Sequence, residues 1–231
     1  MAVVIPIDRR WLVAALLTLT AVTGLIDAVS YLRLGHVFVA NMTGNVVFLG
    51  FGLLPGSGLA PLASAVSIIG FLAGALFGGR LGTRMDGRPR IWLGTALAVQ
   101  AGVLAVPAIL GGVGVLGYTG HAALITIAAL GASFGLQNAT IRRLAAADLT
   151  TTVLTMALTG LAADSVVAGG PGAKLPRRLG SVLAMFAGAA VGALLLRITG
   201  PTGLIAIAAG VVAAIGILVA AAPAPRGPAP T

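Results

Sequence analysis

Residues 24–45 read GLIDAVSYLRLGHVFVANMTGN, and they are the most informative part of the chain because their pattern occurs twice. Its opening motif GLIDA matches GLQNA at residues 135–139, which lies 111 positions further on. Each motif is followed by a basic stretch and then by a polar cluster, which reads NMTGN in the first half and TTTVLT, residues 150–155, in the second. Each half then continues into a segment with closely spaced glycines: Gly70, Gly74 and Gly78, and later Gly188 and Gly192. The chain is therefore predicted to be a duplication, and matched polar positions in a duplicated membrane protein indicate a central substrate or ion path.

The composition predicts an all-α integral membrane protein. The 231 residues are 58% hydrophobic and only 8% charged, with a mean hydropathy of +1.09, whereas soluble domains carry about 25% charged residues. The 34 glycines suit close contact between helices in lipid. The net charge of +9 lies in short clusters without interleaved aromatic residues, which argues against nucleic-acid binding. The absence of cysteine excludes disulfides and thiolate metal sites.

Eight apolar stretches follow one another along the chain. They cover residues 11–31, 36–54, 61–79, 91–110, 120–138, 150–168, 179–196 and 201–222. Since a bilayer core takes about 20 helical residues, six of them are predicted to be transmembrane helices. The stretches 36–54 and 150–168 are interrupted by polar or helix-breaking residues, which predicts two broken or re-entrant elements that line a cavity.

The distribution of Lys and Arg favours six crossings over eight. If all eight stretches cross, the Arg-rich loop 80–90 lies on the opposite side from Arg9 and Arg10, against the positive-inside rule. If 36–54 and 150–168 dip in and return, 12 of the 14 basic residues share one side, and Arg33 and Arg197 lie outside. Six crossings then place both termini in the cytoplasm.

Six crossings also determine how the two halves are related. Repeat A, residues 11–110, and repeat B, residues 120–222, contain three crossings each, so the second enters the membrane from the opposite side. The chain is predicted to hold two inverted-topology repeats within one transmembrane domain, residues 1–222. The Pro-rich tail 223–231 is predicted to be a disordered cytoplasmic end.

The repeated motifs resemble the YoaK family of uncharacterised bacterial integral membrane proteins. The resemblance covers nearly the whole chain and rests on GLIDA with FVANMTGN, residues 38–45, and on GLQNA with TTVLT, residues 151–155. It implies a multi-pass bacterial membrane protein, which we expect in the inner membrane, and it implies no substrate. The chain departs from the pattern at Met156, where the analogy with Thr43-Gly44 leads us to expect Gly.

Polar residues inside the predicted membrane region are the candidate substrate or ion path. They are Asp27, Asn41, Thr43, Asn45, Gln137, Asn138, Thr151, Thr155 and Asp164. A carboxylate within a span is costly unless it is paired, hydrated or protonated, so Asp27 and Asp164 are functional candidates. The structural alternative pairs Asp27 with Arg33, and Asp164 with Lys174 or Arg177.

The repeat gives Asp27 a counterpart. The offset of 111 places Asn138 opposite Asp27, with Gln137 alongside, and a carboxylate with two amides can bind a cation or relay a proton. The alternative for both amides is hydrogen bonding between helices without further function. Asn41 or Thr43 can cap a half-helix beginning near Gly44, whose N-terminus favours an anion, so the charge of the substrate stays open. These residues can also serve only to satisfy broken backbone.

The function predicted from these features is a small secondary transporter or channel for a small solute or ion, with its site where the repeats meet. The alternative is a structural or lipid- or protein-interaction protein without transport activity. An enzyme is disfavoured because two isolated histidines, His36 and His121, assemble neither a catalytic set nor a metal site. No cofactor or nucleic acid is expected, and the partners are the bilayer, the solute or ion and, given the small size, a second copy of the chain. If Asp27 couples flux, Asp27→Asn abolishes flux and spares folding, whereas structural pairing predicts the reverse.

Overall fold

The computed structural model describes residues 8–56, 61–143, 154–170 and 175–222. Within these ranges the chain is helical and contains no strand, which confirms the all-α class. The α-helices are α1 (Arg9–Arg33), α2 (Met42–Phe51), α3 (Pro61–Arg84), α4 (Pro89–Gly112), α5 (Gly120–Arg143), α6 (Leu154–Ala163) and α7 (Leu175–Ala221). Thr151, which belongs to the candidate path, and the tail 223–231 lie outside the described residues.

Five helices of the described chain are long and apolar enough to cross a membrane. The helices α1, α3, α4 and α5 have 24 or 25 residues each, which is about 36 Å and exceeds a bilayer core of about 30 Å. Proline stands at the first position of α3 and of α4, where its missing N–H costs no helical hydrogen bond. The predicted spans 11–31, 61–79, 91–110 and 120–138 lie inside these four helices.

The fifth long helix, α7, is divided into two segments at Gly200. Gly200 has φ 64° and ψ −179°, and Pro201 follows it. A straight helix of 47 residues would measure about 70 Å, more than twice the bilayer core. Glycine adopts the positive φ at low cost, and proline is well placed in the first turn after the break. The segments 175–199 and 201–221 correspond to the predicted stretches 179–196 and 201–222.

The first segment of α7 packs in parallel against α1. A Cβ atom added to Gly188 would overlap the carbonyl oxygen of Ala21, and one added to Gly192 would lie 2.9 Å from the backbone of Leu25. Because both residue numbers rise together along the contact, the two helices run in the same direction. Glycine is required there since the backbones approach more closely than any side chain allows.

The helix α3 packs against α5 in the same way. A Cβ atom at Gly74 would overlap the carbonyl oxygen of Ala132, and one at Gly78 would lie 3.0 Å from the carbonyl oxygen of Leu136. These helices are also parallel, and glycine again permits the contact. The glycines that the sequence pattern singled out therefore mark the two closest helix pairs.

One end of the bundle collects basic side chains. Arg90, at the start of α4, donates hydrogen bonds to the carbonyl oxygens of Val219, Ala220 and Ala222 at the end of α7. The guanidinium of Arg143, at the end of α5, lies 5.8 Å from the centre of the Trp92 ring. The beginning of α4 and the ends of α5 and α7 therefore share one end, which we call the basic end.

The opposite end holds the connection between α4 and α5 and the break in α7. The Tyr118 hydroxyl donates to the carbonyl oxygen of Pro107 at 2.9 Å and accepts from the Thr202 hydroxyl at 3.1 Å. Between the two ends lies a core of fully buried side chains from α1, α4, α5 and the second segment of α7. Its largest members include Ile26, Leu104, Ile127, Phe134, Leu204 and Ile205.

Candidate functional site

The segment between α1 and α3 enters and leaves the bundle at the same end. It turns inward at Gly35 and His36, which have φ values of 103° and 57°. It then runs without helix as far as Asn41, and α2 follows for ten residues. At the far end of α2, a Cβ atom on Gly52 would lie 2.8 Å from Pro61, the first residue of α3. The stretch 36–54 thus forms a hairpin that enters and leaves the bundle at one end, with one extended limb and one helical limb, which agrees with the broken element that the sequence predicted.

Asp27 holds the extended limb of this hairpin against α1. Its Oδ1 accepts hydrogen bonds from the backbone N–H groups of Val39 at 2.9 Å and Ala40 at 3.0 Å, and its Oδ2 accepts from Asn41 Nδ2 at 3.0 Å. The residue is 4% exposed. Donors aimed at a carboxylate make strong hydrogen bonds in such a dry environment. Asp27 is therefore paired with the backbone of the hairpin, and the predicted partner Arg33 is exposed at the end of α1.

Asn45 satisfies the same extended limb from the other side. Its Oδ1 accepts from the backbone N–H of Phe38 at 2.9 Å, and its Nδ2 donates to the Phe38 carbonyl oxygen at 2.6 Å and to Ser67 Oγ at 3.1 Å. The Ser67 hydroxyl donates to the Phe38 carbonyl oxygen at 2.6 Å. Non-helical backbone at membrane depth needs such partners. Asn45 is fully buried and ties the hairpin to α3.

Two expectations about the hairpin are corrected. The helix α2 begins at Met42, and Asn41 makes no side-chain capping bond; its Nδ2 donates to Asp27 Oδ2 instead. Thr43 is exposed on the surface of α2 and does not face the Asp27 carboxylate.

Aromatic rings pack beside the hairpin. Tyr31 of α1 stacks on Phe38 with the ring centres 5.2 Å apart, and Phe38 stacks on Phe48 of α2 at 5.7 Å. His36 meets the Tyr31 ring edge-on at 5.3 Å and is exposed, as is His121. These rings hold both limbs of the hairpin against α1.

A second polar group joins three helices in the middle of the bundle. The Thr23 hydroxyl of α1 accepts from Gln137 Nε2 of α5 at 3.3 Å, and Gln137 Oε1 accepts from Gln100 Nε2 of α4 at 2.7 Å. Thr23 and Asp27 lie four residues apart and therefore on the same face of α1. Sequence reasoning singled out Gln137 and missed Gln100. The signal for Gln100 was available, since it is the one amide in the apolar stretch 91–110.

Asn138 does not complete the predicted pair with Asp27. Its Nδ2 donates to the Phe134 carbonyl oxygen of its own helix at 2.9 Å, whereas Asp27 takes hydrogen bonds from residues 39–41. The neighbouring Gln137 is the residue that reaches α1. On a helix, successive residues point about 100° apart, so two adjacent amides serve different neighbours.

Asp164 lies apart from both groups. Arg178 of α7 donates to the Asp164 carboxylate at 2.6 Å and to the Gly160 carbonyl oxygen at 2.6 Å, and the Asp164 side chain is 46% exposed. The ion pair follows the structural alternative in kind: among the described residues its partner is Arg178 rather than Arg177, and Lys174 lies outside the described residues. Thr155 is exposed on α6. Among the described residues, the candidate path residues thus contribute to three polar groups, one around Asp27, one around Gln137 and one around Asp164.

The space around these groups is limited. A depression of about 400 Å³ opens at the end opposite the basic end, between the end of α1 and the starts of α3 and α5. Its polar lining includes Arg33, Tyr118 and His121. Among the described residues, no three His, Cys, Asp or Glu side chains are grouped to hold a metal ion.

Comparison with known proteins places these features in a family. The profile of a family described as "Protein of unknown function (DUF1275)" matches residues 15–218. The chain is 35% identical over 156 residues to the UPF0700 transmembrane protein YoaK of Bacillus subtilis (strain 168), and the alignment covers 65% of this chain and 64% of that relative. The chain thus spans less than two thirds of the length of this curated relative. No solved structure matches the chain.

The family match covers most of the long helices described above and both ten-residue helices. It confirms the resemblance drawn from the repeated motifs and agrees with a multi-pass membrane protein. The chain therefore belongs to the DUF1275 family of transmembrane proteins, whose function is unknown.

Proposed function

We propose that the chain is a small secondary transporter or channel for a small solute or ion, with its path between two inverted repeats. The observation that carries the proposal is the re-entrant hairpin whose backbone meets the buried Asp27. Irregular backbone at membrane depth is tolerated where it is buried in protein or lines a cavity, and discontinuous elements are typical of substrate sites in transporters. The proposal assigns no enzymatic activity to the chain.

Three relations support the inverted repeats. Ala21 and Ala132, each contacted by a glycine, are 111 positions apart, and the contacting Gly188 and Gly74 are 114 positions apart. The helices α2 and α6 have ten residues each and begin 112 positions apart. If α7 crosses twice around Gly200, each half contributes three crossings, and the second half is inverted relative to the first.

The charges support an orientation with both termini in the cytoplasm of a bacterial cell and the protein in the inner membrane. Basic residues near the basic end include Arg10, Arg84, Arg88, Arg90, Arg142, Arg143, Arg177 and Arg178. The positive-inside rule assigns that end to the cytoplasm. Because the chain has no cysteine, single cysteines test this directly. Val115→Cys should react with an impermeant maleimide on intact cells, and Arg88→Cys should react only after lysis; the opposite pattern would reject the orientation.

Flux measurements test the function itself. Purified protein in proteoliposomes should accelerate the movement of at least one small solute or ion above protein-free vesicles. A screen should cover protons, sodium, potassium, chloride and neutral solutes such as glycerol and urea. A reconstituted, correctly folded protein that moves none of them would contradict the proposal.

One observation favours the alternative of a structural or interaction protein. The two carboxylates of the candidate path are both engaged, Asp27 by the re-entrant segment and Asp164 by Arg178. Such pairings stabilise a scaffold whether or not anything passes through it. The alternative predicts no flux in the same vesicles and an unchanged fold.

A further inference from the structure

A small cavity lies between α1, α4 and α5, beside the hydrogen-bonded side chains of Thr23, Gln137 and Gln100. Its volume is about 10 Å³, and its walls include Leu19, Leu97, Gln100, Gln137, Thr140 and Ile141. None of the residues lining it is charged. A cavity of about this volume holds one water molecule or one group of similar size when polar partners are present.

The hydrogen bonds around the cavity run in one direction. The Leu19 carbonyl oxygen can only accept a hydrogen bond, and the Thr23 hydroxyl donates to it at 2.9 Å. The Thr23 oxygen is then the acceptor for Gln137 Nε2. This orients the Gln137 amide with its oxygen toward Gln100, so that Gln100 must present its nitrogen. This series of hydrogen bonds therefore ends at the side-chain carbonyl oxygen of Gln100.

That oxygen is left without a partner among the described residues. Gln100 is 1% exposed, and its Oε1 atom is buried with no hydrogen bond from the part of the protein that the structure describes. An unsatisfied buried acceptor is costly, and such atoms usually bind a water or a ligand. The Thr140 hydroxyl on the cavity wall donates to the Leu136 carbonyl oxygen at 2.8 Å, so its oxygen adds a second acceptor and no donor.

We infer that this cavity binds the O–H or N–H group of a small neutral solute, with water as the smallest member of the class. The inference rests on the proposed function and names its substrate class. An anion is disfavoured because none of the residues lining the cavity carries a positive charge. A dehydrated cation is disfavoured because metal cations take several oxygen ligands, whereas this cavity has mainly apolar walls and no carboxylate. Because the cavity accommodates one small group, permeability should fall as solute size increases.

Stopped-flow light scattering from proteoliposomes tests the inference. Water, urea and glycerol are the neutral probes, and ion flux is measured on the same vesicles with ion-sensitive dyes. The wild-type protein should raise the permeability to at least one neutral probe above empty vesicles. Gln100→Leu, which removes the acceptor at similar volume, should reduce that increase at least tenfold. Thr95→Val, which removes a hydroxyl from α4 outside the cavity, should leave it unchanged.

Each outcome has a distinct meaning. Ion flux without neutral flux in the wild type would overturn the inference and leave the proposed function standing, whereas no flux of any probe would reject the proposed function itself. Neutral flux that survives Gln100→Leu would also overturn the inference. If Gln100→Leu does not fold, Gln100→Asn is the second variant, since it keeps the amide but shortens the side chain by one methylene. It should still lower neutral flux, while a normal elution volume on size exclusion shows that it is folded.

Discussion

The helices α2 and α6 correspond in length and in sequence position, yet they are anchored in different ways. The segment that ends in α2 is anchored in the protein interior, where the Asp27 carboxylate accepts two backbone N–H groups and a side-chain amide. The helix α6 is anchored near its end by Arg178, which pairs with a carboxylate that is 46% exposed. Two helices of equal length at corresponding sequence positions therefore need not share the same kind of polar site.

The contribution of a carboxylate to stability depends on how deeply it is buried. A buried carboxylate without donors is strongly destabilising, so each donor to Asp27 matters to the fold. An ion pair that water reaches contributes little, because solvent screens it and the side chains lose freedom. Only the first half of the described chain thus combines a carboxylate with irregular backbone in the interior.

The largest effect is expected from Asp27→Ala. The substitution leaves the N–H groups of Val39 and Ala40 and the Asn41 amide without their acceptor, which should lower the free energy of unfolding by about 3–5 kcal/mol. Unfolding in detergent micelles, followed by circular dichroism, measures the loss. Asp27→Asn is the matched control, since its oxygen keeps the two backbone donors and Asn41 can rotate its amide to accept. A loss below 1 kcal/mol for Asp27→Ala would show that the hairpin is held by its aromatic packing instead.

A smaller and equal effect in both halves is expected from the glycine contacts. Gly74→Val and Gly188→Val each place a side chain where a carbonyl oxygen of the neighbouring helix lies, and overpacking of this kind costs about 1–3 kcal/mol. Thermal unfolding of the two variants should give similar shifts. Gly79→Val is the control, since open space surrounds a Cβ atom there. A large loss for one glycine and none for the other would break the equivalence of the two helix pairs.

The smallest effect is expected from Asp164→Ala. Because the ion pair with Arg178 is partly exposed, its loss should cost less than about 1 kcal/mol. The same unfolding assay at low and high salt should show a small loss that shrinks as salt rises. Arg178→Ala should cost more, since it also removes the hydrogen bond to the Gly160 carbonyl oxygen. If Asp164→Ala destabilised the protein as much as Asp27→Ala does, the contrast between the two anchors would be wrong.

The membrane class, the positions of the long helices and the broken stretch 36–54 could be predicted from the sequence alone. These features follow from local quantities: the number of consecutive apolar residues, the positions of proline, and polar residues where a straight helix would be costly. Asp27 was also identifiable, since an intramembrane carboxylate must have a partner.

The identity of that partner could be read only from the tertiary structure. Asp27 binds backbone at residues 39 and 40, and an N–H group carries no side-chain signature in a sequence. Helices rich in Gly and Ala and apolar on most sides show little periodicity, so the faces of Thr43, Gln137 and Asn138 could not be assigned beforehand. Gln100 joins the polar group of Thr23 and Gln137, and Arg178 pairs with Asp164, because of which helices meet in the fold. Hydrogen bonds act over about 3 Å in space, without regard to distance along the chain.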